Sequence, residues 1–209
     1  MSFENEIRAA AQKADQAVNE VMADYSGGYV TDEDDITGLL LGNLRNSFNG
    51  IVEGLQWKAS ILRHRAGIAA EEKTIGADML IHVTLDTPTQ TYSKGVLVQA
   101  KRVQPGLVMS KDDHADLIDQ CRKMLSFSPA SFVFDYAKGS MRCGSAMKVE
   151  GDKSRELYKV CDWRSYRFFL ELFRCPIGDR SITSALVHDL LVPRGIEIKG
   201  KSLSLMDRA

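Results

Sequence analysis

Hydrophobic positions along this chain follow two different periods. Over residues 4–22, Ile7, Ala11, Ala14, Val18 and Val21 or Met22 recur at three- and four-residue spacing, which places them on one side of a helix. Ser26-Gly27-Gly28 breaks that helix, and Thr31 or Asp32 is positioned to cap a second one. The second helix carries Ile36, Leu39, Leu40, Leu44 and Phe48 and stops at Asn49-Gly50. The period then changes to two. Residues 55–63 and 77–85 predict strands, the latter with Met79, Ile81 and Val83 on one face and Asp78, Leu80, His82 and Thr84 on the other. Asp86-Thr87-Pro88-Thr89 opens a polar turn, and residues 94–103 predict a third strand with an apolar centre over 96–100. A helix over 112–126 carries Leu117, Cys121 and Met124 or Leu125. Residues 131–136 and 142–149 predict two more strands, and 154–191 reads as helical with breaks at Pro176 and Gly178. Helices, a strand meander, a helix, two strands and more helices predict an α/β fold. Its expected form is three layers, a central mixed sheet flanked by helices, in one domain of residues 1–209 with a helical portion from about 154.

Composition sets bounds on that picture. With 209 residues, 44% of them apolar, the chain can bury one good core. A formal net charge of -1 is no advertisement for nucleic-acid binding, so any case for such a substrate must come from a local site. Cys121, Cys143, Cys161 and Cys175 are far apart, form no C-x-x-C pair and follow no secretory leader, so reduced thiols in a cytoplasmic protein are expected. No apolar run approaches the ~18 residues of a membrane span, and no membrane partner is expected. P-loop, dinucleotide-glycine and nucleophile-elbow patterns are absent, which disfavours a serine- or cysteine-nucleophile hydrolase.

One segment carries chemistry. Glu71-Glu72-Lys73-Thr74-Ile75-Gly76-Ala77-Asp78 leads into a strand, and after the turn comes Val98-Gln99-Ala100-Lys101-Arg102. Folding the two strands about the midpoint of the polar turn sets Asp78 opposite Lys101, with Gln99 on the same face as Lys101. An acid, an amide and a lysine at one end of a hairpin suit phosphodiester hydrolysis. A hard cation such as Mg²⁺ takes oxygen ligands, which Asp78, the Gln99 side chain and the Ala100 carbonyl could supply. Lys101 could orient an attacking water or balance charge on the phosphate.

A Gly-Ala-Asp entering a strand, then a loop, then an apolar strand ending Val-Gln-Ala-Lys-Arg, resembles the Mrr-like branch of the PD-(D/E)XK, restriction-endonuclease-like nucleases, in which glutamine replaces the usual second acid. The core of the resemblance covers residues 71–101, with weaker support over 33–136. It implies that Asp78 is the motif's metal-binding aspartate, that Gln99 takes the second-acid position and that Lys101 is the catalytic lysine. It also implies a helical glutamate, matched best by Glu33 and next by Asp35, and an acid just before the aspartate, with Glu72 the first choice and Glu71 the second. Gln120 matches a site-facing glutamine on the helix after the lysine, and Ser131-Phe132-Val133-Phe134-Asp135-Tyr136 resembles the next strand. The implied protein is a DNA endonuclease that uses Mg²⁺, with Mn²⁺ able to substitute, in restriction or anti-phage defence. Paired nicks would need a homodimer or a partner subunit.

Other readings of the same residues stay open. Acids in a first helical turn, as at 32–35, are also expected from the helix dipole alone. A nuclease-fold module without catalysis, binding nucleic acid or a partner protein, would keep much of this pattern, as would an effector subunit that needs another chain. Lys94, Arg102, Lys111, Arg122 and Lys123 could meet flanking phosphates, and Trp57, Trp163 and Tyr166 could stack on bases. His64, His82, His114 and His188 read as structural or surface residues.

Overall fold

The period-two segments assemble into a single mixed sheet in a computed structural model of the chain, which describes residues 3–63, 75–190 and 192–203. In chain order the elements are α1 (Glu4–Gly27), α2 (Glu33–Ser47), β1 (Gly50–Val52), β2 (Leu55–Arg63), β3 (Met79–Asp86), β4 (Thr91–Lys101), α3 (Lys111–Phe127), β5 (Ser131–Ala137), β6 (Ser140–Ser145), α4 (Ala146–Gly151), α5 (Leu157–Val160), β7 (Trp163–Arg164), α6 (Ser165–Arg174) and β8 (Arg194–Ser202). The eight strands lie in the order β1-β2-β8-β3-β4-β5-β6-β7. Among the described strands only the β3–β8 and β4–β5 pairs are parallel. The protein is α/β, a mixed sheet with helices on both faces.

Alternation along the central strands divides the core in two. Met79, Ile81, Val83, Val96, Val98, Phe132 and Phe134 turn to one face, where α1, α2 and α6 add Val18, Leu40, Phe169 and Phe173. Leu80, Leu97 and Val133 turn to the other, under Leu117, Cys121 and Met124 of α3. Fully burying an aliphatic or aromatic side chain contributes about 1.5–3 kcal/mol, so this two-sided burial is what holds the layers together. Small residues let α1 lie close: Ala10, Ala11, Ala14 and Ala17 are all buried on its inner side. Its end is set by Gly28 in the left-handed conformation, with the Gly28 and Tyr29 amides donating to the Tyr25 and Asp24 carbonyls. Ser110 caps α3, its Oγ accepting from the Asp113 amide at 3.0 Å. No helix among the described residues is long and apolar enough to cross a membrane.

Four expectations are corrected. The strand expected over 142–149 ends at Ser145, whose Oγ accepts from the Lys148 amide and starts α4 instead. The region from 154 is not mainly helical: it holds α5, the ten-residue α6 and a 3-10 turn, but also β7 and β8. β8 alternates Ile196 and Ile198 with Glu197 and Lys199, and it lies between β2 and β3. Gly200 permits this insertion, because a Cβ there would come within 2.7 Å of the Trp57 ring. Lys94 is not available to phosphate. It is fully buried, and its Nζ donates to the Ile177 carbonyl at 2.6 Å. Finally, Trp57 is buried between Phe48 and Phe173, out of reach of any base.

Candidate active site

The β3–β4 hairpin turns through Thr87–Gln90, tied by the Thr87 amide and hydroxyl donating to the Gln90 carbonyl. This turn is centred one position earlier than simple folding of the sequence suggests. Met79 therefore pairs with Val98, and the next position sets Asp78 opposite Gln99, not opposite Lys101. The Asp78 amide continues the ladder by donating to the Val98 carbonyl at 2.9 Å.

Beyond that point β3 stops while β4 runs on, so the β4 amides on that side need another acceptor. The Asp78 carboxylate provides it. Its Oδ2 accepts from the Ala100 amide at 2.7 Å and from Gln99 Nε2 at 2.6 Å. Gln99 Nε2 also donates to the Ala100 carbonyl at 3.1 Å. One donor thus sits between a carboxylate oxygen and a carbonyl oxygen, and the two oxygens converge on a point as they would on a small cation.

Gly76 sets the height of Asp78. Its φ is +77°, and an added Cβ would lie 2.6 Å from the Gln120 carbonyl oxygen of α3. The chain entering β3 therefore rests directly on the helix backbone at Gln120, which only glycine allows. Gln120 Oε1 is buried with no hydrogen-bond partner, as is Gln99 Oε1.

Lys101 ends β4 and points into a cleft of about 600 Å³, shared with Glu33, Arg102, Tyr25, Met109 and Gln120. Its Nζ is 3.7 Å from Glu33 Oε1, a loose contact between two partly exposed groups. Burial pushes the Glu33 carboxyl above the usual range, with Lys101 and then Arg102 pulling it back down. Arg102 donates to the Thr31 carbonyl and so fastens the end of β4 to the start of α2. Asp35 borders a different cleft, with Tyr29 and Arg194.

A buried acid beside Lys101 went unassigned from sequence. Lys101 and Asp135 are direct neighbours in the parallel β4–β5 pair. Asp135 is fully buried; its Oδ1 accepts from the Val103 amide at 2.8 Å, while Oδ2 has no partner. Burial pushes this carboxyl up to about 7, with the nearby Glu33 adding to the rise and the Val103 amide opposing it. The available signal was a single acid inside the otherwise unbroken apolar run 132–136. His82, expected to be a structural or surface residue, is an interior one. It is buried, with Ser93 Oγ 3.1 Å from its Nε2 and Glu197 Oε1 3.7 Å from its Nδ1, a grouping from three strands.

Glu71 and Glu72 lie outside the described residues, as does His64. Among the described residues no three His, Cys, Asp or Glu side chains group closely enough to hold a metal. The oxygen donors at hand are one carboxylate (Asp78), the Ala100 carbonyl and the partnerless amide oxygens of Gln99 and Gln120. An all-oxygen set with a single charge suits a hard cation that keeps several waters, such as Mg²⁺, and not a soft one. Compared with known proteins, the chain matches no family model, and neither a curated protein nor a solved structure shows significant similarity to it.

Proposed function

We propose that this protein is a Mg²⁺-dependent DNA endonuclease of the PD-(D/E)XK, restriction-endonuclease-like kind, serving restriction or defence against foreign DNA in the cytoplasm. The observation that carries this reading is the meeting of Asp78, Gln99 and the Ala100 carbonyl at the end of β4, one residue from a lysine that opens into a cleft. Asp78 and the Ala100 carbonyl would hold the cation, with Gln99 joining once its amide turns over to present Oε1. The chemistry such a cation supplies when bound is polarisation of a phosphoryl oxygen and acidification of a water. Lys101 would hold that water or offset charge on the phosphate. Glu33 would position the Lys101 ammonium, and Gln120 would fix the floor of the cleft. Two copies, or a partner chain, would be needed to cut both strands.

A second reading is favoured by the same amide. As it stands, Gln99 Nε2 satisfies Asp78 without any cation, which is what a nuclease-fold module that only binds nucleic acid or a partner would need. An effector subunit completed by another chain gives the same picture. The experiment is cleavage of supercoiled and linear DNA with Mg²⁺, Mn²⁺ or EDTA, comparing wild type with Asp78→Asn and Lys101→Met. Metal-dependent cutting lost in both variants supports the nuclease. Failure of the wild type to cut, or equal cutting by the variants, would leave the binding module.

A further inference from the structure

A row of charged residues continues across the sheet from the candidate site. Lys101 neighbours Asp135, Asp135 neighbours Arg142 on β6, and Arg142 neighbours Arg164 on β7. Directly paired positions point to the same face, so these four side chains form a row at one end of the sheet. At ~4.8 Å per strand the row runs roughly 14 Å from Lys101 to Arg164.

Around Arg142 and Arg164 lies a second cleft, of about 670 Å³, which Arg167, Tyr158 and Tyr166 also line. α1 borders both clefts: Tyr25 stands at the first, and Asp15 and Asn19 stand at the second. At ~1.5 Å per residue, the ten positions from Asp15 to Tyr25 span about 15 Å, matching the sheet measure. Gln104 joins the two openings, donating to the Tyr25 hydroxyl at 2.7 Å and accepting from the Lys138 amide of the β5–β6 turn at 2.9 Å.

The second cleft carries more positive than negative charge, with Arg142, Arg164 and Arg167 set against Asp15 and Asp162. Arg142 donates to the Tyr158 hydroxyl at 3.3 Å and lies 4.8 Å from that ring's centre, while its Nε is buried with no partner. Arg167 stacks over Trp163 at 4.3 Å, and Arg164 is exposed. Of the two acids, Asp162 pairs with Lys148 at 3.0 Å and also feels Arg167, while Asp15 accepts from the Ser165 hydroxyl. Arginines packed over aromatic rings beside open space suit phosphates with bases between them.

We propose that the Arg142–Arg164–Arg167 cleft carries the backbone phosphates of the substrate DNA strand on one side of the bond to be cut. This rests on the nuclease reading and deepens it. At roughly 3.4 Å of duplex axis per nucleotide, a 14 Å row reaches about four nucleotides from the reacting phosphate. The substrate is therefore a polymer, engaged well beyond the scissile bond.

Binding, not cutting, tests this. A fluorescein-labelled 20-base-pair duplex would be titrated in EDTA by fluorescence anisotropy between about 50 and 200 mM salt, using wild type, Arg164→Gln/Arg167→Gln, and Lys13→Gln/Lys58→Gln. The last pair makes the same charge change near the β1–β2 edge. The arginine pair is expected to lose about tenfold in affinity and to flatten the salt slope by about two, while the lysine pair stays within about twofold of wild type. A wild type that does not bind, an arginine variant that binds as well as wild type, or equal losses in both variants would overturn the proposal. Arginine-dependent binding with no cleavage would remove the nuclease reading and leave the cleft. Cleavage with arginine-independent binding would remove the cleft alone.

Discussion

The Gln99 side-chain nitrogen lies 2.6 Å from Asp78 Oδ2 and 3.1 Å from the Ala100 carbonyl oxygen. In this arrangement the amide closes a small ring of hydrogen bonds at the point where β3 ends and β4 continues. Asp78 therefore has a structural duty, accepting from the Ala100 amide, alongside any duty toward a cation. Substitutions here separate the two.

Asp78→Ala leaves the buried Ala100 amide without its acceptor, which costs about 1–3 kcal/mol. Asp78→Asn keeps an acceptor oxygen for that amide and is expected to melt nearer to wild type, while losing metal-dependent cleavage as completely as the alanine variant. Thermal unfolding and plasmid cleavage on both variants check this. An asparagine variant that still cuts would end the role of the charge.

Gln99→Glu places a second carboxylate against Asp78. Two such groups at hydrogen-bond distance cannot both ionise easily, so the metal-free protein should lose stability as pH rises through neutrality. A cation would relieve the repulsion, and Mn²⁺ should bind about tenfold more tightly than to wild type, measured by calorimetry. Unchanged Mn²⁺ binding would mean that the amide is not at a cation site.

Gly76→Ala meets two obstacles at once, a positive φ and the Gln120 carbonyl oxygen 2.6 Å from the new methyl. A loss of about 1–3 kcal/mol is expected, and with it a shift of Asp78 against α3. Urea unfolding gives the first, and weaker metal binding than in wild type reports the second.

Asp135 makes stability depend on pH in a direction opposite to that of a salt-bridged acid, whose folded pKa is depressed. Its folded carboxyl titrates at about 7 against an ordinary 3.8, because it is buried. Between those values the folded protein keeps a proton that the unfolded chain releases. Its contribution is complete below about pH 4 and is lost as pH rises through 7, with a slope of at most roughly 1.4 kcal/mol per pH unit. Asp135→Asn is expected to flatten stability over that window, measured by urea unfolding from pH 4.5 to 8. A wild type whose stability does not fall across the window would contradict the assignment.

What the sequence determined on its own was local. Alternation over 79–85 and helical spacing over 4–22 dictate which side of each element is apolar, because the backbone's periods of 2 and 3.6 leave few choices, and the glycines at 27 and 28 set where the first helix stops. The nearness of Asp78 to Gln99 was equally local, since a short turn ties the two strands together, although the register was off by two positions until the Thr87–Gln90 turn fixed it. Tertiary structure decided the rest. β8 enters between β2 and β3 from more than a hundred residues away, and no local pattern encodes a parallel pairing of that separation. Lys94 reads as a surface cation in the sequence, but neighbouring elements close over it and the Ile177 carbonyl accepts its hydrogen bond. Asp135 came to stand beside Lys101, and Arg142 beside Asp135, only because three strands lined up, and their environment follows from the burial that alignment creates. Residue types and their faces are written in the order of the chain, whereas neighbours across a sheet, and the charges their burial perturbs, exist only once the layers have packed.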